Sequence, residues 1–168
     1  MGRGGTQRVL ATLSNYISKE REVDLLLLKK EGHYLREIDK NVNLIDFDSS
    51  RSIFSFFKLL KYFNKREPDL FIASMEHLHF ISAIAIFLSK SNVRAIYRLP
   101  SNPSYIYTER EHPTLYKKIQ YKVLKLSLQF IYNLNFIQAI IVPSEKVKED
   151  FFLHFSLKNL NKLRVVAN

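Results

Sequence analysis

The chain has 168 residues, 46% of them hydrophobic, and a formal net charge of +10 at neutral pH. That length and apolar content predict one compact domain with a sizeable core and exclude global disorder. Cysteine is absent, which excludes disulfides and thiolate metal sites and fits a reducing, cytoplasmic setting.

The first residues are polar and carry no secretory signal, and no apolar run approaches the roughly 20 residues that span a bilayer. The chain opens on Gly4-Gly5-Thr6-Gln7-Arg8-Val9. Two glycines permit a tight turn and close approach by a ligand. Val9, Leu10, Leu13, Tyr16 and Ile17 then recur at helical spacing and predict a helix over Thr6–Lys19. The first N–H groups of such a helix face its leading loop and favour an anion there. The start also fits the permissive myristoylation pattern Met-Gly-x-x-x-Thr, although a loop explains those residues better.

Val23–Leu28 is a continuous apolar run of strand length, and Val42–Phe47 reads as a second strand. Ile53, Phe56, Phe57, Leu60 and Phe63 form the apolar stripe of a second helix, with Lys58, Lys61 and Lys65 outside it. Pro68-Asp69 introduces a strand over Leu70–Ser74, followed by a helix over Leu78–Leu88 and a strand over Val93–Tyr97. The segment Arg98–Pro113 holds Pro100, Pro103 and Pro113 and is the longest irregular stretch, a length that often carries function. Helix Thr114–Tyr132, strand Ala139–Val142, helix Glu145–Phe155 and a short strand Leu163–Val166 complete the order.

Strands alternating with helices predict an α/β fold with a Rossmann-like, doubly wound parallel sheet. Such sheets bind ligands beyond the carboxyl ends of their strands. The loops of interest are therefore Gly2–Thr6, Ser74–His79, Arg98–Pro113 and Pro143–Glu145.

These loops, in this order, resemble the N-terminal domain of a GT-B glycosyltransferase of family 4, the retaining group. Gly4-Gly5-Thr6-Gln7-Arg8-Val9 resembles the family's Gly-Gly-x-Glu-Arg-Val loop. Glu22-Val23-Asp24-Leu25-Leu26 resembles the start of its second strand, and Pro68-Asp69-Leu70-Phe71-Ile72 the entry to a middle strand. Ile141-Val142-Pro143-Ser144-Glu145 resembles its Val-Pro-Ser-Glu segment, and Lys162–Asn168 its hinge into a second domain. The chain departs from the pattern in three ways. The strand expected before Gly4 is absent, Gln7 stands where Glu is usual, and no donor-binding second domain follows Asn168.

The resemblance implies transfer of a sugar from a nucleotide-sugar donor to a glycan or lipid-linked acceptor, as in polysaccharide biosynthesis. It implies no metal and no cofactor beyond the donor substrate. It also implies that this chain is an acceptor-side domain, trimmed at both ends and inactive by itself. The Gly4-Gly5 loop and the Thr6 helix would then face the leaving diphosphate; the plain alternative is a turn that starts a helix. Gln7 can position a hydroxyl without carrying charge, and Arg8 faces either solvent or an anionic ligand.

His77 lies in a region that, by the resemblance, contacts the transferred sugar, with Glu76 orienting the imidazole or acting as a base. A surface histidine at a helix start is an equal reading. His77 and His79 are two apart, a poor spacing for a metal pair on a helix. Arg98 can grip a phosphate or an acidic acceptor bidentately. Asn102 and Ser104 can bond sugar hydroxyls, or simply form a turn. Ser144 and Glu145 lie near the interdomain cleft by the resemblance, and Ser144 is also a good helix N-cap.

The helix over Thr114–Tyr132 carries two stripes. Tyr116, Ile119, Val123, Leu126 and Phe130 form an apolar one, and Lys118, Lys122 and Lys125 a basic one. The favoured reading packs the apolar stripe into the core and leaves the lysines in solvent. The second reading attracts an anionic membrane surface, placing the protein peripherally on the inner face of the plasma membrane. No nucleic-acid motif appears, so a non-catalytic basic module that binds membrane or nucleic acid is the alternative function. A nicotinamide enzyme fits poorly, because Gly2-x-Gly4 lacks the later glycine of the dinucleotide fingerprint.

Overall fold

Every strand pairing among the described residues is parallel, as expected when strands are joined by helical crossovers. The computed structural model describes residues 4–49, 52–107 and 114–167. Its strands form two parallel sheets instead of the single one predicted, and its residues divide into two compact units, Met1–Lys58 and Leu59–Asn168. No described strand pairs with both sheets.

In the first unit, helix α1 (Gly5–Ile17) leads into strand β1 (Val23–Leu27), a 3-10 turn over His33–Glu37 and strand β2 (Val42–Asp46). β1 and β2 run in register from Val23 opposite Val42 to Leu27 opposite Asp46. Leu25, Leu27 and Val42 are buried, and Val23, Leu35, Ile38 and Leu44 pack against them. The Asn15 side chain ties α1 to the turn, donating to the Glu37 carbonyl at 2.7 Å and accepting from the Asp39 N–H at 2.8 Å. Tyr16, expected on the apolar face, points outward, with the Lys19 ammonium 6.0 Å from its ring centre.

Helix α2 (Phe56–Arg66) begins in the first unit and ends in the second. The second unit continues with strand β3 (Leu70–Ser74), helix α3 (Glu76–Leu88) and strand β4 (Arg94–Arg98). A short helix α4 (Ser104–Tyr107), helix α5 (Leu115–Ile131), strand β5 (Ile137–Val142), helix α6 (Glu145–His154) and strand β6 (Leu163–Val165) follow. The sheet order is β3-β4-β5-β6. Phe63, Tyr97, Leu99, Leu128, Tyr132, Ile140, Phe151 and Phe155 are fully buried or nearly so. Each such side chain contributes about 1.5–3 kcal/mol relative to exposure.

Two predicted stripes are corrected. On α2 the buried residues are Leu59 and Phe63, whereas Ile53 and Phe57 are exposed. Phe57 lies about a third of a turn from the Phe56–Leu59–Phe63 row, so it falls on the outer side. On α5 the stripe Tyr116, Ile119, Val123, Leu126 and Phe130 is exposed, and Leu128 and Ile131 are the buried pair. That helix has two apolar arcs, and periodicity alone does not choose which one packs. The segment Arg98–Pro113 is partly helical through α4, and its residues 108–113 lie outside the described residues.

Candidate functional site

At the carboxyl end of the second sheet, Ser74 ends β3 directly opposite Arg98 at the end of β4. Met75 then adopts φ 93°, a conformation that side chains other than glycine rarely take and that costs about 1–3 kcal/mol. Its carbonyl accepts from the Leu78 N–H at 3.0 Å and the His79 N–H at 3.1 Å, so α3 starts without a connecting loop. No side chain caps this helix start. Glu76 and His77 therefore sit in the first turn of α3, two residues earlier than the sequence pattern places the helix.

Ser74, Glu76 and Arg98 are all buried. Among the described residues, the buried Ser74 Oγ and Glu76 Oε1 have no hydrogen-bond partner. Burial pushes the Glu76 carboxyl above its ordinary pKa, partly offset by a backbone hydrogen bond, so it keeps its proton to higher pH than a surface glutamate. Desolvation lowers the Arg98 pKa, and also that of His77, which is exposed but packed on its inner side. A carboxyl with a raised pKa, an imidazole with a lowered one, a hydroxyl and a guanidinium thus lie on the ends of two neighbouring strands and the helix turn that follows, a position that parallel sheets use for ligands. Unsatisfied buried oxygens in a native protein call for an explanation, and a hydroxyl-rich or anionic ligand supplies one.

Sequence reasoning passed over His79. It is fully buried, stacked on Tyr97 at 4.4 Å between ring centres, with Nδ1 3.1 Å from the Tyr132 hydroxyl and Nε2 3.2 Å from the Ala73 carbonyl. Because Ala73 offers only an acceptor, Nε2 carries the proton and Nδ1 accepts from Tyr132. Burial pulls the His79 pKa down to about 3. Ser82 completes the network through the Tyr97 hydroxyl at 3.0 Å. The signal in the sequence was a histidine four positions from an apolar residue on each side, Met75 and Ala83.

Ser104 is held in a relay. Its N–H donates to Asp150 Oδ2 at 2.8 Å, its hydroxyl donates to the same carboxylate, and its Oγ is 2.9 Å from His154 Nε2. Lys125 Nζ lies 3.2 Å from His154 Nδ1. Desolvation, followed by the Lys125 charge, lowers the His154 pKa against the opposing pull of Asp150. With Lys125 donating to Nδ1, the neutral ring holds its proton on Nε2 and donates it to Ser104. His154 therefore cannot act as a base toward Ser104, and the trio is no nucleophilic triad. The Ser104 oxygen, a sugar-binding candidate, is engaged in pinning α4 to α6.

Asn102 is half-buried and its carbonyl accepts from the Tyr105 N–H at 3.1 Å, the turn geometry its neighbours favour. Ser144 is the N-cap of α6, accepting from the Val147 N–H at 3.3 Å. Glu145 is exposed and pairs with Lys148 at 3.1 Å.

In the first unit, α1 starts at Gly5, with Gly4 as an N-cap that offers no side-chain acceptor. A Cβ on Gly4 would lie 2.6 Å from Gln7 Oε1, so Gln7 folds back over the loop, while Gly5 faces open space. Thr6 and Gln7 are half-buried and Arg8 is exposed. The structure thus groups Ser74, Glu76, His77 and Arg98 in one place, keeps Ser104 and Ser144 at the two ends of separate contacts in the second unit, and holds Gly4–Arg8 together in the first.

Among the described residues, no three of His, Asp and Glu cluster in a manner that would hold a metal ion. No described helix is long and apolar enough to cross a membrane. No curated protein matches the sequence. The sequence does match the Glycosyltransferase Family 4 description over residues 3–168. Parallel sheets flanked by helices agree with a Rossmann-like half of such an enzyme. Nearly the whole chain is covered by the match, so it is a GT-B glycosyltransferase N-terminal-type domain and belongs to glycosyltransferase family 4.

Proposed function

We propose that this domain forms the acceptor side of a retaining sugar transfer from a nucleotide-sugar donor to a glycan or lipid-linked acceptor. The reading is carried by the buried, unpartnered Ser74 Oγ and Glu76 Oε1 beside Arg98, at the strand ends where α/β sheets take ligands. In it, Glu76 and His77 lie against the transferred sugar and Arg98 holds an anionic group by a bidentate contact. In the first unit, Gly4, Gly5, Thr6, Gln7 and Arg8 bind the leaving diphosphate, and in the second Asn102, Ser104, Ser144 and Glu145 contribute their backbone frame. In this reading the nucleotide of the donor is gripped mainly by a donor-binding Rossmann-like domain and only weakly by the residues of this one. The chemistry asks for no metal or further cofactor, and its setting is the cytoplasmic face of the cell's envelope synthesis.

Saturation-transfer NMR on the chain tests this reading, using a polyprenyl-diphosphate-linked sugar, UDP-glucose and GDP-mannose as probes. Contact with the lipid-linked sugar that is lost in Arg98→Ala is expected, with only millimolar-range binding of the free nucleotide sugars. Micromolar nucleotide-sugar binding by the chain, or acceptor contact indifferent to Arg98, would overturn it.

A further inference from the structure

His79 holds the chain on both flanks of Ser74. It is the fourth residue of α3, and helical side chains lean back toward the N-terminus, so its ring reaches the strand that leads into the helix. Its own N–H donates to the Met75 carbonyl, on one side of Ser74, at 3.1 Å. Its Nε2–H meets the Ala73 carbonyl, on the other side, at 3.2 Å. The ring also bonds the backbone of Arg98 on β4, whose carbonyl takes the Met75 N–H at 3.4 Å. Tyr97, the residue before Arg98, stacks on the ring with 7° between the planes. Tyr132, at the end of α5, donates to Nδ1 and so keeps the proton on Nε2, where the strand carbonyl accepts it. An apolar side chain would fill this space without burying two ring nitrogens. The backbone of Met75, at φ 93°, persists only where its surroundings over-determine it, and His79 bonds both Met75 and Ala73.

We infer that His79 is a positioning residue: one imidazole joins the ends of β3 and β4 and presents Ser74 and Arg98 to the sugar acceptor in a fixed relation. The ring is fully buried, so it acts only through these two residues. The inference rests on the acceptor reading above for what Ser74 and Arg98 hold, and not for how they are held.

Substitutions separate positioning from packing when each variant is titrated with the polyprenyl-diphosphate-linked sugar by saturation-transfer NMR at neutral pH. His79→Phe fills the space and can stack on Tyr97 but gives the strand carbonyls no donor, and should weaken contact about tenfold. His79→Gln keeps a donor and an acceptor and should stay within about threefold of the parent. Phe63→Leu, a core change on α2 at a ring that meets Tyr62 and Phe71, lowers stability and should leave contact within about twofold. Nitrogen-15 histidine spectra give a readout that packing does not move. His79 should be a single Nε2–H tautomer, and Tyr132→Phe should mix the two tautomers and weaken contact about threefold. Tyr132→Phe leaves the ring in place, so it carries the test if His79→Phe does not fold. Hydrogen exchange at the Met75 N–H reads the join without a ligand: it should quicken in His79→Phe and stay near the parental rate in His79→Gln. Contact that follows stability across these variants, or full contact in both His79→Phe and Tyr132→Phe, would overturn the inference. So would Met75 exchange that is the same in every variant, whether or not the probe binds. Absence of contact in the parent would instead overturn the acceptor reading.

Discussion

Acid should unfold this protein largely through His79, and the size of the effect follows from its surroundings. The ring is fully buried with both nitrogens engaged, and its pKa falls from the ordinary 6.5 to about 3. Unfolding releases the ring to water, where it titrates near its ordinary value. A folded pKa below the unfolded one means that the unfolded state binds a proton the native state refuses. Stability is therefore at its plateau above about pH 6.5 and declines as the pH falls toward 3. Each pH unit inside that window changes the folding constant about tenfold, so at pH 5 the loss is about thirtyfold, or about 2 kcal/mol. Urea unfolding at several pH values between about 5 and 7 measures the slope. His79→Gln retains a donor for the Ala73 carbonyl and an acceptor for the Tyr132 hydroxyl but does not titrate. Its stability should be lower at neutral pH and should depend on pH less steeply by close to one proton. His77 and His154 also have lowered pKa values, but they are present in both proteins and cancel in the difference. A Gln variant with the parental slope would refute the reasoning.

Three further outcomes are expected. Glu76→Gln should raise the thermal midpoint at neutral pH, because a carboxyl with a raised folded pKa costs stability once the unfolded state ionises above about pH 4.5. The gap should close on acidification, and acceptor contact by NMR should weaken in the same variant. Ser144→Ala should cost about 1 kcal/mol by removing the α6 cap, seen as a fall of about 2–4 °C in calorimetry. Phe63→Ala should cost about 3–5 kcal/mol in urea unfolding, since its ring is fully buried and meets Phe71 edge-on at 5.2 Å between centres.

The alternation of strands and helices was legible because each strand is an apolar run and each crossover a 3.6-residue rhythm. Val23–Leu27, Val42–Asp46 and Leu70–Ser74 fall inside their predicted spans. The packing side of a helix was less legible. On α5 both arcs are apolar, and only three-dimensional context shows that Leu128 and Ile131 face the sheet while Phe130 does not. The division into two sheets was not legible, since pairing partners are set by long-range contacts that a local pattern does not encode. At the site, Glu76, His77 and Arg98 could be placed at strand ends by counting. The burial of Ser74 and the Tyr132–His79 and Ser104–His154 bonds could not, because they join residues 50 or more positions apart.

The relay from Lys125 through His154 to Ser104 and Asp150 has a mechanical meaning as well as a chemical one. It braces α4, α5 and α6 against each other, so α5 is a fixed spar and not a loose flap. A load applied to its outer side is carried through one imidazole to Ser104, six positions along the chain from Arg98. The turn that follows Arg98 is therefore anchored from outside by two helices at once, so the edge of the strand-end site is set by contacts that lie well away from it.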